Sequence, residues 1–482
     1  MWLTLTTYVD RVQKGQWYAF KQFQDYLQSS AQDTTNSFLY HSDTYTEENL
    51  SSYTQKLLAW AALWIKDNFH IAGTTMSCAS SILQWYKSPY SATVIKKLQD
   101  AGATFVWKLN MDEFAMWTTW ESSSFGPTKN PYDHTRIPWW SSSWSAAAVA
   151  NDLCIAALWT DTGWSIRLPA SMCGVVWIKP TYGRISRYWI QAMASSFDHI
   201  GVFSKTVEDW MILTQIMSGQ DKYDPTTQPE SNNTQWRETS LQATTLQWMN
   251  FALPQQFFGE WLDEDYHTSI EELVKKIKDL WWKVDFIDFP DIDYAIAVYY
   301  ILVAGEVSTN LSRFDGVRYW MQKETDKYET IFDYYAAVRS AWLWKEVKRR
   351  ILTWAYVLSA WYHDAYYNKA CAVRNMLIEK TNKIFSRYDA IIWPTATSPA
   401  WKLWSYNDDP VAMYMLDKYT VLANLVQAPA MSIPVWFLKR SGVDLPIWFQ
   451  IMTKKRDEAT MFRIGHVLET SCAFPLRSRL IE

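Results

Sequence analysis

The hydrophobic and polar positions of this chain alternate between helical and strand-like patterns, as they do in α/β proteins. Residues 1–56 are polar with scattered aromatics, read as helical, and end in a Ser/Thr-rich stretch. An apolar run from Leu57 to Ile65 then stops abruptly at Lys66-Asp67-Asn68. Such a run predicts a buried strand that delivers its last residues to a site, although a buried helical segment shares the pattern. SATVIKKLQDAGA at 91–103 has helical spacing and closes at Gly102, as a helix C-terminus should. TFVWKLN behind it reads as a strand. Ser145 ahead of AAAVA predicts an N-cap feeding a helix whose small side chains allow close packing.

The stretch 220–247 is rich in Thr, Gln, Ser and Asn and reads as a connector. It divides the chain into an N-terminal helical segment (1–56), a core (57–219) and a second half (248–482). In that second half 268–289 predicts an amphipathic helix and a strand, and 320–388 is mostly helical. The run Lys345-Glu346-Val347-Lys348-Arg349-Arg350 has the look of a solvated face, and AIIWP and MSIPVWF give short strands near the end. No internal repeat is visible.

Charge and cysteine content narrow the function. The formal net charge of −4 gives no field for holding nucleic acid over the whole chain. The start MWLTLTTYVDRVQKG has no basic segment followed by an apolar one, and no run of 18 or more apolar residues occurs. A soluble cytoplasmic protein without membrane contact is expected. Five scattered cysteines and seven dispersed histidines show neither paired CxxC spacing nor an HExxH pattern, so the cysteines read as reduced thiols and no metal site is expected.

Two segments carry the candidate chemistry. Pro138-Trp139-Trp140-Ser141-Ser142-Ser143-Trp144-Ser145 is followed by Thr160-Asp161-Thr162-Gly163-Trp164-Ser165-Ile166-Arg167. With glycine at the tryptophan positions these become PGGSSSGS and TDTGGSIR, which resembles the serine-rich signature of the amidase signature family. Ser143 departs from the family's usual glycine. The resemblance includes IKDN at 65–68, NMDEFAM at 110–116, FGPTKNP at 125–131, CGVVWIKPTYGRISRYW at 173–189 and SSFDHIGVFSKTVED at 195–209. It continues through SRFDGVRYW at 312–320, the stretch 346–367 and DDPVAMYMLD at 408–417. Within the family, the downstream segments are similar to the glutaminase subunits of tRNA-dependent amidotransferases.

A serine hydroxyl is a weak nucleophile until a base takes its proton. No histidine stands in these motifs, and Lys66 is the candidate base, provided that burial lowers its pKa enough to leave it neutral. The resemblance implies an amidase fold, a large mixed β-sheet flanked by helices, with Ser165 as nucleophile. It further implies that Ser141, in a cis peptide, relays the proton and Lys66 accepts it. Backbone N–H groups of Thr162, Gly163, Trp164 and Ser165 would cradle the oxyanion. Arg350 and Asp417 match positions that bind the α-carboxylate and α-ammonium of glutamine, and an Arg fork suits a carboxylate. Met116 and Trp117 match a loop whose backbone contacts the amino acid.

The implied reaction is hydrolysis of glutamine to supply ammonia for converting Glu-tRNA(Gln) to Gln-tRNA(Gln). The implied partners are a B subunit that holds charged tRNA and a small C subunit, completing a heterotrimer. No cofactor is expected in this chain, whereas ATP and Mg would serve the complex. A stand-alone amidase of small amides would share the serine signature but generally lack the downstream segments.

One compositional feature bears on all of this: tryptophan occurs 31 times and glycine only 14, against an ordinary glycine share of about 7%. The tryptophans at 60, 64, 107, 117, 139, 140, 144, 159, 164, 177, 189, 248, 261, 281, 320, 342, 344, 354, 361, 436 and 448 stand where the family pattern holds glycine. Exchanging them would bring glycine to its usual share. A gene whose UGA codons specify glycine but are read as tryptophan would produce this pattern. Genuine tryptophans would obstruct the oxyanion turn and leave an inactive protein of amidase fold.

Overall fold

In the computed structural model, described residues are 4–33, 35–41, 53, 55–116, 123–137, 143–163, 167–229, 248–259, 262–279, 283–318, 327–357, 363–402 and 415–472. They form an α/β structure around one mixed sheet of eleven strands. In chain order these are β1 (Phe38–His41), β2 (Leu63–Lys66), β3 (Trp107–Leu109), β4 (Ala156–Asp161), β5 (Val176–Lys179) and β6 (His199–Ser204). The later strands are β7 (Asn250–Pro254), β8 (Lys283–Ile287), β9 (Ala390–Pro394), β10 (Ala430–Arg440) and β11 (Val443–Thr453). Across the sheet the order is β1-β3-β2-β4-β6-β5-β10-β11-β9-β7-β8. The sheet therefore runs unbroken from the first half of the chain into the second, through antiparallel pairing of β5 with β10 at Lys179↔Ala430, Ile178↔Met431 and Trp177↔Ser432.

Two parallel pairings place the site. β2 lies between β3 and β4 and runs parallel to both, with Ile65 opposite Lys108 on one side and Leu158 on the other. All residues of β2 and β4 are buried, and strands covered on both faces are expected to be continuously apolar. Their C-terminal ends, Lys66-Asp67-Asn68 and Asp161-Thr162-Gly163, emerge on the same side of the sheet. The helix Ser143–Ala150 packs against β4, and the helix Arg167–Cys173 follows it across the turn. Residues 144–150 and 167–173 are buried throughout, as helices without a polar face should be.

Three expectations change. The strand in the Leu57–Ile65 run begins only at Leu63. Ala59 and Trp60 have φ of 41° and 72°, so the chain turns before it extends. Residues 1–56 are not purely helical: after the helices Leu5–Gln13 and Gln16–Ala31, Phe38–His41 forms the edge strand β1 against β3. Ser145 is not an N-cap. The helix already begins at Ser143, which puts Ser145 inside its first turn with its hydroxyl buried and, among the described residues, without a hydrogen-bond partner. The helix at 93–100 and its end at Gly102, φ 98°, are as expected. Of the connector, 220–229 is described and 230–247 is not.

Candidate active site

Lys66 is fully buried at the end of β2. Its Nζ donates to Thr160 Oγ1 at 3.2 Å, and Asn68 Nδ2 donates to the same oxygen at 2.9 Å. Burial drives the Lys66 ammonium well below its ordinary pKa, against the opposing pull of Asp112, Cys78, Asp198 and Asp161. The neighbouring Asp67 turns away from Lys66's role: it accepts from the Ser77 N–H at 2.9 Å and lies 3.5 Å from Lys108 Nζ.

The turn after β4 is held on both flanks. Thr162 Oγ1 donates to Asp198 Oδ1 at 2.7 Å, and Asp198 also accepts from the N–H groups of Met193 and Ala194 at 3.0 and 3.3 Å. Desolvation raises the Asp198 carboxyl to about 6. At Gly163 an added Cβ would lie 2.5 Å from the Tyr299 ring, so a larger residue there would force Tyr299 to move. Beyond the turn, Arg167 is completely buried. It donates to the Gly163 carbonyl and to Gln450 Oε1 at 2.6 Å each, contacts Asn424 Oδ1, and brings Nε to 3.5 Å from Asp161 Oδ2. Asn424 Nδ2 closes the network on Asp161 Oδ1 at 3.1 Å. One guanidinium thus joins the turn of the first half to two elements of the second.

Arg350 and Asp417 meet at a third residue, Tyr300. The Tyr300 hydroxyl donates to Asp417 Oδ2, and the Arg350 guanidinium carbon lies 5.9 Å from the Tyr300 ring centroid. Both charged residues are buried. Desolvation pushes the Asp417 carboxyl well up, opposed by the Tyr300 hydrogen bond and the Arg350 charge. Only part of the 345–350 run is a solvated face: Arg350 points inward and donates from Nε to Glu346 Oε1 at 2.9 Å. Tyr300 sits on the helix Ala295–Leu311 beside Tyr299, the residue that covers Gly163. Through Tyr299 and Tyr300 the Arg350–Asp417 pair therefore stands one helix position from the Gly163 turn.

Met116 is buried at the end of the short 3₁₀ turn Glu113–Ala115, where Phe114 and Ala115 have φ of 52° and 61°. Left-handed backbone at two consecutive non-glycine residues is the kind of strain found at ligand-contacting loops. Glu113 ties this loop to both sides, accepting from Ser80 Oγ at 2.5 Å and from the Trp344 N–H at 2.8 Å, next to the helix that bears Arg350. Ser141, Ser165, Trp117 and Trp164 lie outside the described residues, as does the peptide bond expected to be cis. Sequence reasoning missed Thr160, Asp198, Tyr299, Tyr300, Asn424 and Gln450, and gave Arg167 no role although it stands in the second motif. Among the described residues no group of three or more His, Cys, Asp and Glu is arranged to hold a metal ion.

A buried lysine and a glycine turn stand at the ends of neighbouring parallel strands, and the chain belongs to the amidase family, whose profile matches residues 21–462. Among its relatives, the A subunit of the glutamyl-tRNA(Gln) amidotransferase of Chlorobaculum tepidum is 40% identical, covering 93% of this chain and 94% of that one. The corresponding protein of Desulfatibacillum aliphaticivorans is 43% identical over 86% of this chain and 83% of its own. The crystal structure of the Thermotoga maritima A subunit superposes with a TM-score of 0.78 at 33% identity, covering 99% and 98% of the two chains. A 6-aminohexanoate cyclic dimer hydrolase, at 19% identity and a TM-score of 0.83, shares the fold.

Proposed function

We propose that this chain is the glutaminase component of a tRNA-dependent amidotransferase that converts Glu-tRNA(Gln) to Gln-tRNA(Gln). The observation that carries this reading is Lys66. It is a buried amine with its pKa driven down, one strand away from the turn that leads to Ser165. Ser165 Oγ attacks the side-chain amide carbon of glutamine while its proton passes through Ser141 to Lys66 Nζ. The carbonyl oxygen gains negative charge and is met by the N–H groups of residues 162–165. The C–N bond then breaks, the proton returns through the same relay to the leaving nitrogen, and ammonia departs. Water attacks the acyl-enzyme by the same route and releases glutamate. Arg350 and Asp417 bind the α-carboxylate and α-ammonium. This pairing of recognition groups beside the turn, with about 40% identity to glutamyl-tRNA(Gln) amidotransferase A subunits over most of the chain, favours glutamine over simple amides.

The partners in this reading are B and C subunits, with charged tRNA held mainly by B and with ATP and Mg used by the complex in the cytoplasm. The test is ammonia release from glutamine by the chain with and without B and C subunits, charged tRNA and ATP. Stimulation by the partners, lost in Lys66→Ala, supports the reading. Hydrolysis of small aliphatic amides with none of glutamine, whatever the partners, overturns it.

A further inference from the structure

We infer that glycine, inserted at UGA codons, is the working residue at the tryptophan positions that match family glycines. Two structural observations, independent of the motif pattern and of each other, point to this. The first is backbone conformation. Trp60, Trp189 and Trp248 have φ of 72°, 61° and 74°, the left-handed region that glycine enters freely and a bulky side chain does not. All three are family-glycine positions. No other tryptophan among the described residues has a positive φ.

The second is the fate of the indole N–H. A buried tryptophan ordinarily finds an acceptor for it. Trp210 and Trp393, which match no family glycine, do so: each donates at 2.7 Å, to the Val202 and Tyr419 carbonyls. Trp60, Trp144, Trp159, Trp177 and Trp448 are equally buried, all stand at family-glycine positions, and among the described residues none has a partner for Nε1. Trp64 is the exception, donating to the Leu153 carbonyl at 3.0 Å. The two kinds of tryptophan thus separate by environment much as they separate by motif.

The consequence falls on the chemistry. The Trp159 ring lies 3.8 Å from Lys66 Nζ, and an aromatic face favours the charged ammonium, the wrong form for a base. Glycine at 159 removes that attraction from Lys66.

The decisive experiment is peptide mass spectrometry on the protein isolated from its own cells, read beside the codons of its gene. The expected result is UGA with the mass of glycine at positions 159, 164, 177 and 189, and UGG with the mass of tryptophan at 210 and 393. UGG codons at the first four positions, or the mass of tryptophan there, overturn the inference. This readout does not depend on which amide is hydrolysed, so a failed glutaminase assay leaves it intact. As a second measurement, the chain made with glycine at 139, 140, 144, 159 and 164 should hydrolyse amide at least about a hundredfold faster than the chain made with tryptophan there. Equal turnover of the two forms counts against the inference.

Discussion

The two sides of the candidate site are built in opposite ways. The proposed reacting side, Lys66 and the turn Asp161–Gly163, comes from the ends of adjacent parallel strands, with Asp198 and Arg167 bracing the turn. The proposed recognition side, Arg350, Asp417 and Tyr300, comes from three segments far apart in sequence and is held by side-chain contacts among them. The difference teaches where substitution should hurt which step. Damage at the strand ends should abolish chemistry for any amide, and damage among the side chains should weaken the hold on glutamine in particular.

The largest expected effect is on the reacting side. Lys66→Ala should lower kcat by about 10²–10⁴-fold for glutamine and simple amides alike. Lys66→Arg should be no better, because a guanidinium does not give up its proton. In the unsubstituted protein, activity should rise as pH rises through the depressed Lys66 pKa. A Lys66→Arg protein with appreciable turnover would break the comparison.

Next is the junction. Arg167→Leu leaves Asp161 buried without its cation and should cost about 3–5 kcal/mol of stability, read from denaturant unfolding. Glu113 ties the Met116 loop to Ser80 and to Trp344, and burial raises its carboxyl from 4.5 to about 7. An acid with a raised folded-state pKa stabilises most below its unfolded value. Its contribution, on the order of a few kcal/mol, should be lost as pH climbs from about 4.5 through about 7. Glu113→Gln should flatten the pH dependence of Tm over that window, and an unchanged slope would assign the effect elsewhere.

Smaller effects belong to recognition. Arg350→Ala should raise KM for glutamine about 10–100-fold, the worth of a hydrogen-bonded charge, and leave simple amides nearly unaffected. Tyr300→Phe removes one hydrogen bond to Asp417 and should cost about 1 kcal/mol in kcat/KM for glutamine. Equal losses on both kinds of amide would erase the distinction between the two sides.

The same division explains what could be read from the sequence. Lys66 was legible because a buried apolar run that ends in charge is a local pattern, and the helix at 93–100 because its spacing and Gly102 are local too. Arg350 and Asp417 were reached only through the family resemblance. Tyr300, which joins them, was not reached at all, since nothing near it in sequence marks a tyrosine whose partner lies at 417. Asn424 and Gln450 escaped for the same reason. The false N-cap at Ser145 shows the opposite failure: a serine before alanines carries the local signal, but the helix begins two residues earlier within a fully buried layer. Edge strand β1 is only four residues long, too short for an alternation to be read.

The Arg167 network also sets a timetable. As the chain leaves the ribosome, Lys66, Asp161 and Arg167 are all made well before Asn424 and Gln450, and domains tend to fold as they emerge. Until the last strands are synthesised and β10 joins β5, Arg167 lacks two of its acceptors and the turn lacks its fixed position. A nascent chain should therefore be unable to release ammonia before its synthesis is nearly complete.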